Sequence, residues 1–384
     1  MKIVFEKEKL LAALVPASSI SPTRNTNYIL ECVLFNYPSD EPGKCRLTAY
    51  DMEKGLRTFV ECECTEEKLR FAVNAQNILQ IVRAMPEGNI TIEITDNTRA
   101  KISNGSVSFE IGAASGENFP ALPLLVGDRN YTIPQYIFRK IVNMTIFAVS
   151  QNEQGKAFSG VLFSVEDGRL TCVGCDRNML AVAAYDLENK EVPDHRIIVP
   201  ARILGDILKS VKDSEDEMTV SLARKHIIFR IGEYIYFSRI IDEEYLNYRK
   251  IISLTGNINV YADAAALRNA VERATIVTED KLGGKSKNSL LINYGKDSME
   301  ISSTSANGSI YDEIPASSEG IEESVLFKYN CRYILNVLRA CEDTKTVHIN
   351  LGSSTSGMKV TSGDSDSDAK IDYTFYVMPM SNVR

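Results

Sequence analysis

Apolar positions along this chain follow two periods, and the whole pattern recurs at one third of its length. The run Val33-Leu34-Phe35 returns as Val161-Leu162-Phe163 and again as Leu290-Leu291-Ile292, offsets of 128 and 129 in 384 residues. A fixed internal period marks one structural unit used three times, so the chain reads as an array of repeats. Each unit opens with a short strand and then a helical stretch. Ile3-Val4-Phe5 precedes Leu10 to Leu14, Tyr131-Thr132-Ile133 precedes Ile137 to Val142, and Asn259-Val260-Tyr261 precedes Leu267 to Val271. A second helix recurs mid-unit, with apolar pairs at i and i+3: Leu79 with Val82, Leu204 with Ile207, Leu335 with Leu338. That spacing sets each pair on one helix face.

The six predicted helices span 7–20, 74–85, 135–150, 201–212, 265–276 and 329–341. Between them the period drops to two. Alternation marks strands at 91–94, 106–111, 218–222, 227–231, 234–237, 347–351 and 374–377. The fold class is therefore α+β, each unit holding many antiparallel strands and two helices. Apolar periodicity lapses near 123–130 and 253–257, which bounds three domains at 1–126, 127–256 and 257–384.

Composition adds little until charge is sorted by element. The net charge of −8 argues against a nucleic-acid partner. The six helices, however, hold 12 Lys or Arg and only three acids, a net of +9 against −17 for the rest. Glu is as good a helix former as Lys or Arg, so its scarcity there is not a matter of propensity. Gathered on one surface, these helices would attract phosphate while the remainder repels it. No apolar run approaches the ~20 residues of a spanning helix, and Met1 to Lys7 lacks a leader pattern. A cytoplasmic location is expected.

Eight cysteines are scattered through the chain. Cys172-Val173-Gly174-Cys175 has redox or metal spacing but no second pair, and His195, His226 and His348 show no ligand spacing. Cys62 and Cys64 fit a strand pattern as small packing residues. Gly283-Gly284-Lys285-Ser286 lacks the first glycine of a phosphate loop. The acidic stretch around Thr361 to Asp368 lacks the Glu and flanking helices of a calcium loop. The carboxylates Asp242, Glu243 and Glu244 have no evident partner. No cofactor, metal or catalytic set is indicated, so the chain is not expected to be an enzyme.

Several stretches fall together in order: Met85-Pro86-Glu87-Gly88, Asn118-Phe119-Pro120, Ser159-Gly160-Val161-Leu162-Phe163, Ile198-Val199-Pro200, Asn247-Tyr248-Arg249 and Tyr376-Val377-Met378-Pro379-Met380. In these the chain resembles the bacterial DNA sliding clamps, the beta subunit of the replicative DNA polymerase III holoenzyme, from Lys2 to Met380. The resemblance implies three clamp-type domains with sheets outside and two helices each inside. Two copies would join head to tail in a closed ring around duplex DNA. It further implies a processivity factor that slides on DNA without reading sequence. Its partners would be the replicative polymerase, a clamp loader and other proteins bearing clamp-binding peptides. The alternative is a non-catalytic β-repeat scaffold that shares the architecture without encircling DNA. An enzyme at a cleft between units is a third reading, with no residue set behind it.

By the same resemblance, DNA contacts fall to Arg24, Arg83, Asn152 and Arg202, with Arg139, Lys140, Lys209, Arg268 and Arg332 setting the potential of the hole. A partner-peptide pocket would be lined by Phe158, Cys175, Leu180, Leu246 and Ile251. Tyr376, Met378, Pro379 and Met380 would complete its floor, and Arg177, Asn178, Met179 and Lys250 would stand in or beside it. Methionines suit a surface that accepts several partners. The subunit interface would pair Phe109 and Ile111 with Ile276 and Val277; the competing reading makes these ordinary core residues. The pocket departs from the family at Asp176-Arg177-Asn178-Met179-Leu180, at Tyr245-Leu246 and at Ser381, so the family's peptide preference does not carry over.

Overall fold

In a computed structural model the structure describes residues 1–95, 98–150, 155–278, 288–305, 308–352, 356–364 and 370–380. The three repeats share one element order. In the first, β1 (Lys2–Glu6) enters α1 (Lys7–Ile20). Then come β2 (Cys32–Tyr37), β3 (Lys44–Tyr50), β4 (Lys54–Glu61), a short β5 (Glu63–Cys64) and β6 (Leu69–Asn74). α2 (Ala75–Ala84) follows, then β7 (Asn89–Thr95), β8 (Arg99–Asn104) and β9 (Val107–Ser115).

The second repeat runs β10 (Arg129–Pro134), α3 (Gln135–Ile146), β11 (Gly160–Glu166), β12 (Arg169–Cys175), β13 (Met179–Asp186) and β14 (His195–Pro200). It ends with α4 (Ala201–Ile207), β15 (Glu217–Leu222), β16 (His226–Ile231) and β17 (Tyr234–Arg239). A short α5 (Tyr248–Ile252) follows. The third repeat has β18 (Ile258–Asp263), α6 (Ala264–Thr278), β19 (Ser289–Tyr294), β20 (Ser298–Ser305) and β21 (Gly308–Glu319). It closes with β22 (Val325–Asn330), α7 (Cys331–Ala340), β23 (Thr346–Leu351), β24 (Met358–Ser362) and β25 (Ile371–Val377).

The chain packs as two compact units, 1–139 with 202–240, and 140–201 with 241–384. The first unit holds a 13-stranded sheet in the order β10-β15-β16-β17-β4-β3-β2-β6-β9-β8-β7-β1-β5. The second holds a 12-stranded sheet in the order β14-β11-β12-β13-β25-β24-β23-β18-β21-β20-β19-β22. Each sheet contains one junction between repeats. In the first unit the last strand of repeat two, β17, pairs antiparallel with the fourth strand of repeat one, β4, Phe237 facing Gly55. In the second, β25 pairs with β13 in the same sense, Phe375 facing Ala181.

The helices form where the sequence supplies a cap and one apolar stripe. The Asn74 side chain accepts the Asn77 amide at 3.1 Å, and α2 buries Ala75, Ile78, Leu79 and Val82. Asn330 caps α7 through the Arg332 amide at 3.0 Å, and Asp263 caps α6 through Ala266 at 2.7 Å. The predicted pairs Leu79/Val82, Leu204/Ile207 and Leu335/Leu338 are all buried. Two helices end earlier than periodicity implied. α3 stops at Ile146, where the Thr145 hydroxyl donates back to the Ile141 carbonyl at 2.9 Å and the chain tightens into i→i+3 turns. α4 stops at Ile207 and continues only as turns to Val211. Among the described residues no helix is long and apolar enough to cross a membrane.

Candidate nucleic-acid and partner interfaces

The helix cations divide into two groups. Six are held in ion pairs: Lys7 with Glu87, Lys9 with Glu6 and Glu61, Lys140 with Asp343, Lys209 with Asp206, Arg273 with Asp312 and Arg339 with Glu272. Lys7 is buried and donates to the Met85 carbonyl at 2.7 Å, which makes it a fastener between α1 and the turn after α2. The +9 of the helices therefore overstates the charge offered outward. Arg83, Arg139, Arg202 and Lys212 are exposed and Arg268 is partly so, and none has an ion pair among the described residues. Arg332 is exposed on the polar face of α7.

Arg24 projects from a loop shaped by its own side chains. Asn25 Oδ1 accepts the Asn27 amide at 2.9 Å, Asn27 Oδ1 accepts that of Ile29 at 3.3 Å, and the Asn25 amide donates to Glu31 at 2.8 Å. The loop leaves Arg24 and Tyr28 exposed. Asn152 lies outside the described residues, as do Gly283-Gly284-Lys285-Ser286, Ser365 to Asp368 of the acidic stretch, and Ser381.

In the second unit the residues expected to bind a partner converge. Phe158, Cys175, Leu180, Leu246, Ile251 and Tyr376 belong to one packed apolar cluster. Tyr245, expected there as a departure from the family, belongs to it too, and its other members were not anticipated: Ala157, Leu162, Val173, Val182, Ile198, Ile241, Tyr248 and Ile252. The usable signal was apolar spacing in the connector, at 241, 245, 248 and 252. Tyr245 is anchored by its hydroxyl to the Val173 carbonyl at 3.0 Å and meets Phe158 edge to face. Burial pushes the Cys175 thiol up to about 12, so it packs as an apolar group. Cys172, also buried, is pushed up for the same reason.

The hairpin tip between β12 and β13 is set by Asp176, whose carboxylate accepts the Asn178 and Met179 amides at 2.7 Å each. Arg177 and Asn178 are exposed there, whereas Met179 is buried and paired with Val377. Beyond β25 the Met378 amide donates to the Asn178 carbonyl at 2.8 Å and the Met380 amide to that of Lys328 at 2.7 Å. The first bond fixes Met378, 39% exposed, beside the hairpin, and the second holds Met380 against β22, with Pro379 between them. Lys250 stands exposed on α5. Its neighbour Arg249 pairs with Glu166 and holds that carboxyl below its usual range.

The residues expected at a subunit interface are not core. Phe109 is 40% and Ile276 77% exposed, and Ile111 and Val277 are half-buried. They flank two open edges. Residues 107–112 of β9 pair with β8 alone, and 308–315 of β21 pair with β20 alone, among the described residues. The remainder of each strand pairs with β6 and β18 respectively.

Comparison with known proteins agrees with this architecture. Residues 1–123 match the family model of the DNA polymerase III beta subunit N-terminal domain, and 132–247 that of its central domain. The beta sliding clamp of Salmonella typhimurium is 26% identical over 381 residues, covering 99% of this chain and 100% of that protein. That of Escherichia coli K12 is 25% identical over 384 residues, with 99% and 100% covered. A crystal structure of a putative DNA polymerase III beta subunit from Eubacterium rectale superimposes with a TM-score of 0.89 at 24% identity, covering 99% of this chain and 100% of that one. The DNA polymerase III subunit beta of Pseudomonas aeruginosa gives 0.87 at 23% identity, with 99% and 100% covered. The two family models together match more than half of the chain, which belongs to the bacterial beta sliding clamps, as a divergent member.

Proposed function

We propose that the protein is a DNA polymerase processivity factor: two copies close into a ring around duplex DNA and tether the replicative polymerase. The observation that carries this is the pattern of strand junctions. Twice the last strand of one repeat pairs with the fourth strand of the repeat before it, β17 with β4 and β25 with β13. The third such pair would be β9 with β21, and both have open edges. Joining β9 of one copy to β21 of another reuses the junction, and a second such joint closes the ring with neither of these two edges left open. Phe109 and Ile111 on one side and Ile276 and Val277 on the other would be covered in that joint.

In this reading the domains are 1–126, 127–256 and 257–384. Arg24, Arg83 and Arg202, with Asn152, meet phosphates, and Arg139, Arg268 and Arg332 set the potential of the hole, to which Lys140 and Lys209 add less because of their ion pairs with Asp343 and Asp206. Contacts of that kind are independent of sequence and weaken with salt, which permits sliding. The apolar cluster around Leu180, Tyr245 and Tyr376 receives the partner's peptide. The role is topological and non-catalytic, exercised in the cytoplasm, with a separate loader opening the ring.

Arg139→Glu combined with Arg202→Glu tests the DNA reading. Retention on nicked circular DNA is expected to fall for every sequence, with a salt slope reduced by roughly one per cation lost, and with an unchanged circular-dichroism spectrum. Wild-type retention by the double variant would refute the role of these helices.

A further inference from the structure

Beside the apolar cluster lies a cavity of about 240 Å³ lined by Leu162, Arg196, Ile197, Ile198, Ile241 and the run Asp242 to Tyr245. Leu162, Ile198, Ile241 and Tyr245 belong to the cluster as well, so cavity and cluster are continuous. The size suits one large apolar side chain and falls below that of ordinary small-molecule sites. One wall is β14, the terminal strand of its sheet, covered on its outer side by the single bridge from Ile198 to Ile241. A terminal strand offers main-chain groups to an extended peptide.

The mouth is acidic. Asp242, Glu243 and Glu244 are exposed, and none forms an ion pair among the described residues. The one cation of the lining, Arg196, is engaged elsewhere: its guanidinium donates to the Leu246 carbonyl at 3.4 Å and lies over the Tyr248 ring. Three adjacent carboxylates over an apolar floor make a local field that a bound cation relieves.

We infer that this cavity extends the partner site and selects peptides in which an apolar residue is followed or preceded by Lys or Arg. The inference rests on the reading that a partner peptide seats in the cluster. The floor supplies affinity, and the carboxylates supply selectivity and encounter rate.

The test uses the full chain and three short synthetic peptides, each carrying three leucines and ending in two lysines, two glutamates or two serines. Fluorescence anisotropy is expected to show the lysine peptide binding tighter than the serine peptide by roughly fivefold at low salt, the scale of exposed ion pairs. The advantage should vanish at about 0.5 M salt and in the variant Asp242→Asn/Glu243→Gln/Glu244→Gln, which should still bind the serine peptide with wild-type affinity. Equal affinity of the wild type for all three peptides would overturn the charge selection and leave the peptide site standing. Binding of none of them would overturn the peptide site and this inference together.

Discussion

Lys7 and Arg83 look interchangeable in the sequence, two cations on amphipathic helices, yet their environments differ. Lys7 is buried against the Met85 carbonyl and Glu87, whereas Arg83 faces solvent without an ion pair among the described residues. Lys7→Ala should therefore lower stability by about 1–3 kcal/mol in urea unfolding, because it strands a buried acceptor. Arg83→Ala should stay within roughly 0.5 kcal/mol of wild type. Period and capping revealed which residues lie on helices; they could not reveal that Lys7 meets Met85, a partner 78 residues away. His348 gives a pH dependence at the same scale. Its ring nitrogens bond to Thr361 at 3.1 Å and Asn259 at 2.9 Å, and burial followed by the Lys359 charge lowers its pKa from 6.5. The unfolded chain then binds the proton first, so this contribution is intact above pH 6.5 and is lost as pH falls through the folded value. A melting-temperature difference between pH 7.5 and pH 5 should shrink in His348→Gln; an unchanged difference would remove His348 from the account.

Among the elements, the longer helices and strands such as β7, β15 and β23 were legible from their periods, whereas β4 and β13, which carry the junctions, were not marked in the sequence. Nor was α5, since five residues span barely more than one turn. The apolar cluster was half legible. Phe158, Cys175, Leu180, Leu246, Ile251 and Tyr376 come together as the resemblance implied, but Leu162, Val173 and Ile198 sit in ordinary strand alternation with nothing local to set them apart. The junction between β4 and β17 also turns on a contact invisible in either strand alone. A side chain at Gly55 would overlap the Phe237 ring, which is fully buried over it. Gly55→Val should cost roughly 1–3 kcal/mol by overpacking. Faster amide exchange in β4 and β17 than in β7 and β8 would locate that loss at the junction; uniform exchange would place it elsewhere.

For the whole molecule, the threefold period was the strongest signal in the sequence, because it fixes the element order in all three repeats at once. How the open edges close came from the resemblance alone, since nothing local in β9 or β21 marks a stretch that lacks a neighbour. If they join between copies, Phe109→Asp should shift sedimentation from dimer toward monomer while the circular-dichroism spectrum stays near wild type, the side chain being already 40% exposed in the single chain. The most direct measurement is negative-stain electron microscopy of the purified protein. The account predicts closed rings of two copies with a hole wide enough for duplex DNA. Compact monomers or open arcs at high protein concentration would contradict it, and with it the threading of DNA.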